Sequence, residues 1–202
     1  MTAGRLIAAL CLLWLAACGG PAEPRWAPDA EVAKYAYRHD GPPELRLYTI
    51  VSTRSGSGAH SGLLITSPRE RILFDPAGTF ALPFAPERND VHYGMTPRAL
   101  SVYIDYHARE TYDVIEQRLS VSAAQAEAVA RLAKAYGAVP KAQCSVSINR
   151  ILSEAGFGTM KVTYFPVATK TNFAKLPGVS ERVISDDDAD KNHRVLIEAS
   201  RR

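Results

Sequence analysis

Several short stretches of the chain alternate between apolar and polar residues, and this period of two predicts β-strands. Six strands are expected, at residues 45–51, 60–66, 69–75, 100–106, 161–165 and 194–197. The turn signal Ser67–Pro68 joins the second stretch to the third and indicates a hairpin. We therefore expect an antiparallel sheet.

Helical periodicity is found mainly in the second half of the chain. The clearest helix begins after Ser122, which forms a capping-box pair with Gln125, and it stops at Gly137. A further helix is expected from Arg109, with an apolar face formed by Tyr112, Ile115 and Leu119. Residues 76–99 are rich in proline and show little periodicity, which predicts a long surface loop beside a cleft.

A short amphipathic helix is expected to begin at Cys144, because Pro140 stops any helix upstream and Gly156 ends this one. Its apolar residues recur at helical spacing and are Ile148, Ile151, Leu152 and Ala155. The thiol then lies on the buried side of the helix start, beside unpaired backbone N–H groups and the positive end of the helix dipole. Both favour thiolate over thiol, which makes Cys144 a candidate nucleophile.

The first residues resemble the leader of a bacterial lipoprotein. Arg5 supplies a positive charge, and residues 6–17 are apolar but too few to remain as a membrane span. The sequence Leu-Ala-Ala-Cys ending at Cys18 is similar to the lipobox, whose cysteine becomes diacylated and forms the mature N-terminus. We expect a signal peptide over 1–17, a lipidated Cys18 and a Pro/Gly/Ala-rich tether over 18–43. Glycine after that cysteine implies an outer-membrane anchor facing the periplasm.

Composition narrows the fold and the partners. The 202 residues, 47% of them apolar, suffice for one well-packed domain, expected over 44–202. Lys and Arg (24) nearly balance Asp and Glu (21), and no basic run suggests a nucleic-acid partner. Of the three cysteines, Cys11 lies in the expected signal peptide and Cys18 is expected to carry lipid. Cys144 is then the sole thiol of an exported domain, so no internal disulfide is expected.

The hairpin supplies a base for this nucleophile. A turn centred between Ser67 and Pro68 places His60 directly opposite Asp75, on the same face of the sheet. A three-residue loop would instead turn Asp75 to the other face, and Asp105 is then the alternative orienting acid. An imidazole between a thiol and a carboxylate is the arrangement needed for nucleophilic catalysis.

Two sets of residues suggest metal sites more weakly. His92, His107 and Glu110 lack a second spaced pair that would complete a ligand set. The acidic residues Asp186, Asp188 and Asp190 have the spacing that begins a calcium-binding loop. However, lysine stands where such a loop requires glycine, and isoleucine stands where it requires the bidentate glutamate. We interpret this run as a solvated turn and expect neither a metal nor a cofactor.

Two motifs together resemble the circularly permuted branch of the papain-like NlpC peptidase superfamily, which includes lecithin:retinol acyltransferase-like proteins. They are His-Ser-Gly-Leu-Leu-Ile beginning a strand at His60 and Gln-Cys-Ser-x-x-Ile-x-x-Ile-Leu at the Cys144 helix. The histidine precedes the cysteine, as in the permuted branch. The resemblance implies an α+β papain-like domain with an antiparallel sheet packed against the Cys144 helix. It also implies Cys144 as nucleophile, His60 as base and Asp75 approximately at the third polar position. The backbone N–H of Cys144 would help to hold an oxyanion.

The function that follows is a lipid-anchored cysteine hydrolase. The expected location favours amide or peptide bonds of the cell wall as substrate. The permuted branch also contains enzymes of lipid acyl groups, so a thioesterase or acyltransferase acting on membrane lipid is an alternative. A non-catalytic, envelope-binding lipoprotein is the alternative from another class.

Overall fold

A computed structural model describes residues 20–158 and 160–201. The expected signal peptide over 1–17 and the lipidation site Cys18 lie outside these residues. Within the described part of the chain, no helix is long and apolar enough to cross a membrane.

A seven-stranded antiparallel sheet organises the described part of the chain. In chain order the strands are β1 (Glu44–Ser52), β2 (Gly58–Thr66), β3 (Arg71–Phe74), β4 (Glu87–Arg88), β5 (Val91–His92), β6 (Tyr112–Ser120) and β7 (Ser180–Ile184). Across the sheet they are arranged β4-β5-β3-β2-β1-β6-β7. The helices are α1 (Asp29–Lys34), α2 (Pro97–His107), α3 (Ala123–Tyr136), α4 (Cys144–Glu154), α5 (Pro166–Phe173) and α6 (Asn192–Arg201). The expected α+β class is confirmed.

Helices cover both faces of the sheet and form two cores. Alternate residues of β2 point to opposite faces, so Leu63 packs with α3, α4 and α5 while Leu64 packs with α2 and α6. The first core includes Val129 of α3 and Ile148 of α4, and the second includes Tyr103 of α2. Burial on both faces explains the continuous apolar runs 63–65 in β2 and 72–74 in β3.

The β2–β3 hairpin is confirmed, but its register differs from the expected one. Leu63 pairs with Phe74, and the connecting loop is residues 67–70. Continuing this register places Asp75 opposite Gly62, so the direct pairing of Asp75 with His60 was wrong by two residues. An even offset keeps side chains on the same face, and His60 and Asp75 therefore still share one.

The expected strand at 100–106 is wrong, because these residues belong to α2. Thr96 caps this helix by accepting a hydrogen bond from the backbone N–H of Ala99, and Pro97 occupies the first turn, where its missing N–H costs nothing. The buried side chains follow a helical spacing; they are Ala99, Leu100, Tyr103 and Tyr106. The alternation over this stretch was coincidental.

The expected helix from Arg109 is also wrong, because Tyr112–Ser120 forms β6. This strand lies between β1 and β7 and is hydrogen-bonded on both sides. Its buried Glu116 receives hydrogen bonds from Tyr48 and Arg182, at 3.1 and 2.8 Å. Buried polar residues hide the period of two, and the remaining apolar residues matched a helix by chance.

Three further predictions need correction. Residues 161–165 form no strand, and the expected strand at 194–197 lies within α6. Residues 76–99 contain β4 and β5 and bury Phe80 and Met95, so this stretch is only partly a surface loop. By contrast, α3 and α4 begin and end where their caps predicted, including the capping box and the left-handed Gly156.

The described residues of the expected 18–43 tether make backbone contacts with the domain. Tyr37 accepts a hydrogen bond from the N–H of Arg71, and the N–H of Ala27 donates to Glu87. Gly20 accepts a hydrogen bond from the N–H of Lys141 at 3.2 Å. Gly20 therefore lies beside the turn that precedes Cys144.

Candidate active site

A tight turn delivers Cys144 to the start of α4. Gln143 donates its N–H to Pro140, and Ala142 adopts a left-handed conformation with φ of 64°. Among the described residues, no side chain caps the first turn of α4. The N–H groups of that turn are therefore left for a ligand, beside a thiol that is 6% exposed.

His60 and Asp75 form a buried pair. Nε2 of His60 lies 2.7 Å from Oδ1 of Asp75, and the Tyr103 hydroxyl donates to the same oxygen at 3.0 Å. Asp75 is buried and His60 only slightly exposed. The sequence predicted this pair, and the structure places the alternative acid Asp105 against Arg109 instead.

Two glycines make room for the pair, and the sequence analysis missed both. A Cβ on Gly62 would lie 2.2 Å from the Tyr103 hydroxyl, and one on Gly78 would lie 1.8 Å from Oδ2 of Asp75. Any larger residue would displace the carboxylate or the tyrosine that holds it. The available signal was that one glycine follows His60 by two residues and the other follows Asp75 by three.

The pair favours a protonated imidazole beside an ionised carboxylate. Burial alone would lower the pKa of His60, but the charge of Asp75 and the hydrogen bond to it outweigh burial and raise that pKa to about 10. Burial would raise the pKa of Asp75, but the charge of His60 and its hydrogen bond hold that pKa well below its usual value. His60 is therefore cationic at neutral pH.

The thiol of Cys144 lies close enough to His60 for each to shift the pKa of the other. Burial would raise the pKa of Cys144, but hydrogen bonding with His60, the charge of His60 and the backbone N–H of Ser61 together lower it. Since Nε2 of His60 is held by Asp75, Nδ1 is the nitrogen left for the thiol. The charge of His60 thus favours the thiolate form of Cys144 over the thiol.

The end of β3 explains how a residue of α4 reaches His60. The pairing of β3 with β2 stops at Phe74 and Leu63, so it does not extend to Ser61. The backbone N–H of Ser61 is left to interact with the Cys144 sulfur. Cys144 therefore approaches His60 beside the part of β2 that does not pair with β3.

His107 is a site residue that the sequence analysis considered only as a weak metal ligand. Its ring stacks on that of His60, with centroids 5.7 Å apart and planes 8° apart. Its Nδ1 lies 2.9 Å from the carbonyl of Tyr103, which makes Nδ1 the protonated nitrogen. Burial lowers the pKa of His107 to about 4, so this ring is neutral where His60 is charged.

A cavity of about 270 Å³ opens beside His60. Its lining includes Ile50, Ala59, Gly78, Thr79, Tyr106 and Tyr112. Of the described residues that line it, none apart from His60 carries a formal charge, since the ring of His107 is neutral. Space for an uncharged group therefore adjoins the base.

The candidate metal ligands fall into separate places. His60, Asp75 and His107 have donor atoms within 4.8 Å of one another, but the first two are bonded to each other. His92 is not part of this group of donor atoms and packs against Phe80, with ring centroids 5.2 Å apart.

The acidic run is tied to its surroundings by side-chain contacts. Asp188 pairs with Arg109 at 3.2 Å, and Asp190 accepts a hydrogen bond from Thr111 at 2.8 Å. Asp105, Asp186 and Asp188 also have donor atoms within 4.8 Å, but Arg109 forms salt bridges with two of them, Asp105 and Asp188. The carboxylates therefore already have protein partners.

Compared with known proteins, the chain matches no family model, no curated protein and no solved structure. What the site does chemically must therefore be argued from Cys144, His60 and Asp75 themselves.

Proposed function

We propose that the protein is a cysteine hydrolase of acyl bonds. Cys144 is the nucleophile, His60 the general base and acid, and Asp75 the group that orients His60. The observation that carries this proposal is the coupling of Cys144 to His60, which lowers the pKa of the thiol, together with the 2.7 Å contact between His60 and Asp75. A thiolate at a helix start with uncapped N–H groups is equipped for nucleophilic attack.

The proposed reaction has two steps. The Cys144 sulfur attacks the substrate carbonyl, and the N–H groups at the start of α4 stabilise the resulting oxyanion. The bond to the leaving group breaks as His60 gives it a proton, which leaves a thioester on Cys144. Water then attacks the thioester, His60 takes the proton, and the carboxylic acid departs with the thiolate restored.

The arrangement of elements supports a papain-like, circularly permuted domain as the finer fold assignment. The histidine comes from a strand that precedes the cysteine helix in the chain, and that helix packs against the antiparallel sheet. We further propose that Cys18 is lipidated, which would anchor the enzyme to the outer membrane facing the periplasm.

Two substrate classes fit an acyl-bond hydrolase at this location. Amide or peptide bonds of the cell wall are one, and acyl groups of membrane lipids are the other. The cavity beside His60 favours the second class, because its described lining offers no charged side chain other than His60 itself to pair with a charged amino acid.

The decisive experiment compares wild type with Cys144→Ala on muropeptides and on acyl-lipid esters and thioesters. We expect hydrolysis of one class by wild type, its loss in Cys144→Ala and in His60→Gln, and a mass increase on Cys144 during turnover. Ser153→Ala is the matched control, since Ser153 is exposed on the same helix. Retained activity in Cys144→Ala would refute the mechanism. An unreactive thiol in wild type would favour the alternative that the protein is a non-catalytic, envelope-binding lipoprotein.

A further inference from the structure

An exposed apolar patch lies between α4 and α5. Val162, Tyr164 and Phe165 are 53%, 62% and 71% exposed. They are three of the six large apolar side chains that are strongly exposed in the described part of the chain. Here we call residues 162–165 the aromatic patch.

The patch lies at the end of the molecule that carries the active site. It leads directly into Pro166 at the start of α5, and a Cβ on Gly58 would lie 2.6 Å from Cβ of Pro166. Gly58 precedes His60 by two residues in β2. The patch therefore adjoins the strand end that supplies the base.

The path of the N-terminal chain leads to the same end. Gly20 is bonded to Lys141, which precedes Cys144 by three residues. Cys18 is two residues before Gly20, and two residues span at most roughly 7 Å. A lipid on Cys18 would thus hold the active-site end close to the bilayer.

The chemistry of the patch suits a lipid surface. Tyrosine and phenylalanine lower their free energy at the boundary between headgroups and acyl chains, and Lys161 beside them is exposed and attracted to anionic headgroups. The cavity beside His60, whose described lining carries no other charged side chain, adds space for an apolar group at the same end.

We propose that the aromatic patch docks on the membrane to which the protein is anchored, so that the active site faces the bilayer and its substrate is an acyl lipid. This inference rests on the proposed function and deepens it by choosing between the two substrate classes. A bilayer is favoured over a protein partner because the chain leads from the patch-bearing end directly to the predicted lipid anchor.

The orientation is tested with the full, lipidated chain reconstituted in phosphatidylethanolamine–phosphatidylglycerol vesicles that contain brominated acyl chains. A tryptophan is placed by Phe165→Trp, in a Trp26→Phe background that removes the exposed native indole. Ile197→Trp is the matched control, since Ile197 is 51% exposed on α6, which packs with α2 on the opposite face of the sheet from α5. We expect bromine to quench at least about half of the emission at position 165 and little at 197. Equal, weak quenching at both positions would overturn the docking.

A second measurement addresses the substrate. In Tyr164→Ser/Phe165→Ser we expect the ratio of hydrolysis of a vesicle-embedded acyl ester to that of a water-soluble short-chain ester to fall about tenfold. Ile197→Ser, which changes an exposed apolar residue on α6, should leave this ratio at the wild-type value. An unchanged ratio in the double variant, or cleavage of muropeptides alone, would overturn the acyl-lipid assignment.

Failure of this inference is distinguishable from failure of the proposed function. Quenching is measured without turnover and should persist in Cys144→Ala. Cysteine-dependent hydrolysis without quenching would refute the membrane docking and retain the hydrolase. Quenching without any hydrolysis would support the docking and refute the hydrolase, and with it the acyl-lipid substrate.

Discussion

At the scale of single residues, the site depends on the imbalance between burial and charge. Burial opposes ionisation of Cys144, His60 and Asp75 alike, yet all three favour their charged forms because each has an oppositely charged neighbour. Removing one member therefore leaves the others buried without compensation.

The first prediction concerns the pH dependence of thiol reactivity. Only thiolate is alkylated, so a lowered pKa of Cys144 means that the pH profile of alkylation by iodoacetamide lies at lower pH than that of a free cysteine, whose pKa is about 8.5. In His60→Gln, burial acts on the thiol without the opposing imidazolium. The profile should then move up by more than about one pH unit. Identical profiles for the two proteins would contradict the coupling.

The second prediction concerns Gly78. In Gly78→Ala the new methyl group meets Oδ2 of Asp75, which must move away from His60. We expect a loss of about 1–3 kcal/mol in the free energy of unfolding and an alkylation profile closer to that of a free thiol. Denaturant unfolding and alkylation rates measure both effects. Gly158→Ala is the control, because among the described residues other than its chain neighbours no atom lies within 4 Å of the position that its new methyl group would take. This variant should remain near wild type.

The sequence allowed His60 and Asp75 to be chosen because residue parity survives an even error in register. It did not reveal Tyr103 as a partner of Asp75, since Tyr103 was assigned to a strand and its hydroxyl contact depends on α2 crossing that face. Gly62 and Gly78 are required because a side chain at either position would clash with Tyr103 or Asp75. The sequence alone does not show which atoms lie near these glycines.

At the scale of elements, caps were better guides than periodicity. Ser122 with Gln125 and Gly156 correctly located α3 and α4, because a cap is a local hydrogen bond or backbone conformation. The stretch that forms α2 was predicted as a strand, and the stretch that forms β6 was predicted as a helix. Over seven to nine residues a few apolar positions fit both the helical and the strand period. Residues 112–120 form a strand because they pair with β1 on one side and β7 on the other, and these partners are distant in the sequence.

The third prediction concerns the contact between α4 and α5. The buried Asn149 amide donates to the hydroxyl of Thr169 at 2.6 Å. Thr169→Val removes the acceptor and leaves an N–H without a partner, so we expect a loss of about 1–3 kcal/mol in unfolding free energy. Thr171→Val on the same helix is exposed and should change stability by less than about 0.5 kcal/mol. Equal effects in the two variants would show that the buried contact contributes nothing.

At the scale of the whole molecule, the sheet separates two cores. Groups from the two faces can come together at the start of β2, where β3 no longer pairs with it. The helix with Cys144 packs on one face, while Asp75, Tyr103 and His107 gather with His60 on the other. Only where β3 ends can the thiol and the imidazole meet. The N-terminal chain approaches this same region through Gly20 and Lys141.

The fourth prediction concerns the anchor. If Cys18 is lipidated, the full chain partitions into the outer-membrane fraction, and Cys18→Ala moves it to the soluble periplasmic fraction because no acyl chains remain. Fractionation and intact-mass analysis measure location and modification. Cys11→Ala is the control and should leave both unchanged. A wild-type chain without added acyl mass would refute the lipidation.

The sequence by itself determined those features that depend on neighbouring residues. These are the strands β1 to β3, the helices α3 and α4, the position of Cys144 at a helix start, and the shared face of His60 and Asp75. The tertiary structure alone decided which ambiguous stretches became α2 and β6, the two-residue offset of the hairpin, and the meeting of Cys144 with His60. Those outcomes depend on strand pairing and on packing between residues far apart in the chain, whose free energies no local pattern records.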